Sequence, residues 1–117
     1  MRSVKIPWSR NERILSRYKR IISLIHEQVK DYLDMPDEVL REKTYQLKER
    51  HFQGETLDDL LVEAFALVVG ACKRLVGRSW EVCNEAVQWK MVPYDEQMMG
   101  AIALFQGKIV EMATGEG

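Results

Sequence analysis

The sequence predicts a mainly helical chain that ends in the first strand of an α/β nucleotide-binding unit, and three observations carry that expectation. Long stretches place apolar residues at steps of three and four, the spacing of one helix face. Proline and glycine punctuate those stretches where helices start and stop. The last ten residues, KIVEMATGEG, read as a short strand, Lys108 to Met112, followed by the turn Thr114-Gly115-Glu116-Gly117. A phosphate-binding loop opens in this way, because glycines let the backbone turn tightly and bring its N–H groups close to phosphate oxygens. A complete loop adds a Lys for the β/γ-phosphates and a Ser or Thr for Mg²⁺, usually at the start of a helix. Those residues are expected beyond Gly117.

A length of 117 residues with 46% apolar content fits one small domain or part of a larger one, and excludes a disordered chain. No apolar run approaches the roughly 18 to 20 residues of a spanning helix, and the amino-terminal stretch is not that of a signal peptide. A cytoplasmic setting is expected. Cys72 and Cys83 lack the paired spacing of a zinc site, and His26 and His51 lie far from both in sequence, so no metal site is expected and the cysteines read as reduced. The net charge of −1 hides an asymmetry. Residues 1–30 carry eight Lys/Arg against Glu12 and Glu27, a balance of +6 that leaves −7 for the remainder. A basic leading segment ahead of an acidic body suggests attachment to an anionic surface, either lipid head groups or nucleic acid.

Taken in order, Ser9 and Glu12 have capping-box spacing and predict a helix from Ser9 to Leu33. Its apolar stripe is Ile14, Tyr18, Ile21, Ile22, Ile25, Val29 and Leu33, which serves either as core or as a membrane-surface face. Residues 1–33 thus form a basic amphipathic segment, and 34–117 the start of a nucleotide-binding domain. Pro36 opens a second helix, with Asp37 and Glu38 at its positive end and Val39, Leu40, Tyr45, Leu47 and Phe52 as apolar surface; Gly54 ends it. Thr56 caps a third, whose apolar face is Leu57, Leu60, Leu61, Ala64, Phe65, Val68, Ala71, Cys72, Leu75 and Val76, and Gly77 closes it. Asp58 and Asp59 read as dipole partners rather than an acid–base pair. Between 78 and 90, Trp80, Val82, Val87 and Trp89 suggest extended pieces around a turn at Asn84-Glu85-Ala86, with the tryptophans packed on the helices or, less favoured, stacking nucleic-acid bases. Asp95 is expected to cap a short helix to Phe105 that Gly107 stops.

Three blocks resemble the SecA family of ATP-driven protein-export motors: PDEVLREKTYQLKER from Pro36, GETLDDLLVEAFA from Gly54, and VPYDEQMMGAIALFQGKIVEMATGEG from Val92. The middle block is the most specific. The resemblance implies a RecA-like, helicase-type P-loop fold. It implies that Gln97 reads adenine and that Thr114, Gly115, Glu116 and Gly117 form the first part of the ATP loop, with no catalytic residue in this stretch and Glu116 a loop carboxylate. It further implies ATP and Mg²⁺ in the full-length parent, with the SecYEG channel, preproteins and acidic phospholipids as partners, and it leaves room for a homodimer. Arg10, Arg13, Arg17, Lys19 and Arg20 become the membrane and channel attachment set, on the cytoplasmic face of the bacterial inner membrane. Several positions depart from the family pattern: Glu96 stands at a usually apolar position, Ala101 at a usual Gly, Phe105 at a common His and Pro36 at a usual Ser cap. Two other readings are a helicase-like nucleic-acid motor, against which the GETLDDLLVEAFA block argues, and a standalone helical membrane- or partner-binding module. The fragment alone is expected to be inactive.

Overall fold

The computed structural model describes residues 10–108 and 110. Its elements run α1 (Arg10–Tyr32), α2 (Asp37–Phe52), α3 (Leu57–Leu75), β1 (Ser79–Val82), β2 (Glu85–Gln88) and α4 (Asp95–Phe105). The mainly helical expectation holds over these residues. Ser9, most of the strand expected at 108–112, and Thr114 to Gly117 lie outside the described residues, and neither Lys108 nor Val110 is in a strand.

Helix α1 is the spine. Tyr18, Ile22, Ile25, Val29 and Tyr32 recur at helical spacing and are buried, with Ile14 and Ile21 packing at the margin. The stripe is therefore core. It ends on Tyr32 rather than on Leu33, which is exposed. Its main partner is α3, where Leu61, Ala66 and Val69 join the same cluster. Gly70 lets the two helices approach closely, since a Cβ there would stand 3.2 Å from Tyr32 Cβ. The face expected for α3 is rotated in the structure. Leu57, Ala64, Val68 and Val76 are exposed, whereas Ala66, Val69 and Gly70, outside the expected face, are buried. A helix apolar on most of its circumference carries little sequence signal about which face wins, and here the partner α1 decides.

Thr56 caps α3 as expected: its Oγ1 accepts from Asp59 N–H at 3.1 Å while Asp59 Oδ2 accepts from Thr56 N–H at 3.3 Å. Asp59 is thus a capping partner as well as a dipole partner. Helix α2 buries no residue, although Leu40 packs at the edge of the core. The apolar surface expected on α2 is mostly solvent-facing, with Phe52 89% exposed. Polar contacts hold this helix instead. Arg50 makes a two-pronged bond to Glu55, 2.9 Å on each prong, and a third bond to Glu63 of α3 at 2.7 Å. At its other end Arg74 reaches Asp37 at 2.6 Å and the Tyr32 carbonyl at 2.8 Å. An apolar groove of about 350 Å³ remains open beside it, lined by Leu47, Leu57, Phe65, Val68 and Phe105 among others.

Strands β1 and β2 form an antiparallel hairpin with Trp80 opposite Val87. The turn falls on Cys83-Asn84, one residue earlier than the sequence suggests, and both residues have positive φ, 51° and 65°. Those values suit a two-residue loop whose twist matches the strands. Both strands are exposed, and Trp80 packs edge to face on Trp89 at 6.1 Å rather than extensively on the helices.

Candidate nucleotide-binding site

Helix α4 carries the candidate residue. Residues 91–94 are in neither helix nor strand, and Tyr94, not Asp95, occupies the cap position with an extended backbone, φ −76° and ψ 161°. Asp95 is the first helical residue. Its carboxylate is turned to α1, where it accepts from His26 Nε2 at 2.7 Å. An ionised carboxylate only accepts, so the proton in this bond sits on Nε2.

Gln97 lies two residues on, half-buried in the first turn. Its Oε1 accepts from Tyr94 N–H at 2.8 Å, which satisfies one of the donors that a helix start leaves open. The amide is thereby held against the turn. Met98, Ile102 and Ala103 on the buried side of α4 join the core with Tyr18, Ile22 and Ile25. At the far end of the helix, Tyr18 donates its phenolic hydrogen to Gln106 Oε1 at 2.8 Å and accepts from Lys108 Nζ at 3.0 Å. The Lys108 ammonium also lies 5.3 Å from the Tyr18 ring centroid. Sequence reasoning missed these ties because they join residues 69, 88 and 90 positions apart and leave no local spacing signal.

Of the other expected site residues, Thr114, Gly115, Glu116 and Gly117 lie outside the described residues. Arg10, Arg13, Arg17, Lys19 and Arg20 are all exposed on α1. The first three and Arg20 follow steps of three and four along one outer line, with Lys19 away from it. Exposed Leu15 and Leu24 lie on the same helix. Among the described residues, no helix is long and apolar enough to cross a membrane, and no group of three or more His, Cys, Asp or Glu is placed to hold a metal ion.

A helical frame that presents a capped glutamine and runs on toward a glycine-rich turn is matched by one family description, the SecA DEAD-like domain, over residues 4–117. The class is that of DEAD-like domains. The chain belongs to the SecA family. It is 47% identical over 109 residues to the protein translocase subunit SecA of Chlamydia trachomatis serovar L2, 46% to that of Chlamydia muridarum and 44% to that of Chlamydia caviae. Each alignment covers 93% of this chain and 11% of the relative, so the chain spans about a tenth of the length of these curated relatives. No solved structure matches the chain.

Proposed function

We propose that this chain supplies the adenine contact and the approach to the phosphate loop of a SecA-type ATPase, which couples ATP hydrolysis to the passage of unfolded preproteins through the SecYEG channel. The observation that carries this reading is Gln97, held by the Tyr94 amide at the start of α4 in a chain whose family match runs to residue 117. A carboxamide has both a donor and an acceptor, and so suits the amine and adjacent ring nitrogen on one edge of adenine. Its oxygen has two lone pairs, so capping the helix and accepting from an adenine amine are compatible. The backbone of Thr114 to Gly117 would surround the phosphates. When bound, ATP would supply the phosphoryl group and Mg²⁺ would neutralise charge developing on it. The fragment alone is read as inactive.

The exposed basic line on α1 supports the reading of attachment to acidic phospholipid and to the channel, and with it a parent that works at the cytoplasmic face of the inner membrane. Each Lys or Arg near such a surface contributes about 1 kcal/mol. Replacing Arg13, Arg17 and Arg20 together by Glu is expected to abolish co-sedimentation with acidic vesicles while leaving the helical circular-dichroism signal unchanged. Undiminished vesicle binding would remove this surface from the reading. A homodimer of the parent would be compatible with either attachment.

The decisive test uses the full-length protein with SecYEG vesicles and a labelled preprotein. Gln97→Ala is expected to weaken ATP binding about tenfold, the scale of one lost two-point base contact, with GTP affinity little changed. Translocation at limiting ATP should fall with it. An unchanged preference for ATP over GTP, or preprotein protection that ignores ATP, would falsify the proposal.

A further inference from the structure

Helix α1 touches both ends of α4. At one end His26 bonds Asp95 in the turn that carries Gln97; at the other, buried Tyr18 bonds Gln106 and Lys108, through which the chain leaves α4 toward residues 114–117. Between these ties Ile22 and Ile25 share the core with Met98 and Ile102. We propose that His26 is a positioning residue for the nucleotide, fixing the first turn of α4 and hence Gln97. This rests on the reading of Gln97 as the adenine contact.

The need for such ties is physical. Helix α4 has only 11 residues, a length at which helix formation in isolation is marginal, and its first turn follows an approach in neither helix nor strand whose cap residue Tyr94 is 61% exposed. A base-reading amide must hold its place to within about 0.5 Å to discriminate. By contrast α1 has 23 residues, five of them buried, and is a stiff frame against which to hold that turn. The capping bond passes any shift of the turn to the amide, because Tyr94, Asp95 and Gln97 lie within four consecutive residues. A tie at Asp95 therefore acts on base choice. The tie at Gln106 and Lys108 lies at the opposite end of the helix, away from Gln97.

The experiment measures equilibrium affinities of the full-length protein for fluorescent ATP and GTP. His26→Ala and Asp95→Asn are each expected to cut the ATP/GTP preference roughly 3- to 10-fold, short of the 100-fold that an ångström-scale misplacement can cost. The double variant should be no worse than either single one, because both remove the same bond. His26→Gln, whose amide can still donate to Asp95, should restore most of the preference. Tyr18→Phe keeps the ring and removes both hydroxyl bonds at the end of α4 remote from Gln97, so it should leave the ATP/GTP ratio intact. A ratio that falls as far as in His26→Ala would overturn the specific role of His26. An unchanged ratio in His26→Ala and Asp95→Asn, while Gln97→Ala loses it, overturns the role of His26 and leaves the adenine contact standing. A ratio unchanged in Gln97→Ala overturns both.

Discussion

The two helices packed on α3 are held in opposite ways. Helix α1 meets it through a dry seam in which Ile25 is 0% exposed, Val29 and Val69 are 1% exposed, and Gly70 abuts Tyr32. Helix α2 meets it through the Arg50–Glu55–Glu63 ion network and the Arg74–Asp37 pair, with no buried residue of its own and an apolar groove left open. Apolar burial is insensitive to pH and to modest salt, whereas exposed ion pairs are screened and titrate. Helix α4, which carries Gln97, rests on the first kind of seam. The body of that helix is thus seated on the part of the described molecule that changes least with conditions, while its first turn is tied by the exposed His26–Asp95 pair.

The sharpest way to break the comparison is to hollow out the dry seam. Ile25→Ala removes a fully buried side chain between α1, α3 and α4 and is expected to cost about 2–5 kcal/mol in urea unfolding. Hydrogen exchange should then rise in all three helices together. Opening confined to α1 would show that α3 and α4 do not depend on it.

A smaller and more local effect should follow from acid. The guanidinium hydrogen bonds from Arg50 hold the Glu55 carboxyl below the ordinary carboxylate range, and the same partners raise the Arg50 pKa still further. A depressed carboxylate pKa means that this network's contribution is complete above the unfolded-state value of about 4.3 and is lost as pH falls through the lower folded value. Amides of α2 should therefore lose protection below about pH 4 while those of α1 keep theirs. High salt at neutral pH should move α2 in the same direction. Equal protection of α1 and α2 across that range would mean that α2 is held by something other than ions.

This contrast also explains what the sequence could reveal. The stripe of α1, the Thr56 cap and the stops at Gly54 and Gly107 were legible because each has a fixed local spacing or needs a special backbone, with φ of 115° and 80° at those two glycines. The buried face of α3 was not legible, because apolar residues surround most of that helix and only its partner selects a side. The hairpin turn was displaced by one residue because Cys83-Asn84 lacks the usual glycine of such a turn, and Asn84-Glu85-Ala86 read as the polar break. At the candidate site, Gln97 came from family resemblance. Its capping bond was hidden because Asp95, a better cap by residue type, stood beside Tyr94 and turned out to face His26. Contacts between α1 and α4 are set by tertiary packing alone.

The smallest expected effect concerns Phe52, the last residue of α2. Large aromatics usually contribute strongly to stability when buried, but this one is 89% exposed, while Phe65 on the facing helix packs at the edge of the core. Its exposed side chain has little surface to lose to water. Phe52→Ala should accordingly change the unfolding free energy by no more than about 0.5 kcal/mol, against the several expected for Ile25→Ala. The measurement is most informative when repeated on the full-length protein, whose relatives are about nine times longer than this chain. A null result there as well would leave Phe52 a solvated helix end. A cost above about 1 kcal/mol confined to the full-length protein would show that another part of that protein covers this side of α2, converting the weaker seam into a second dry one.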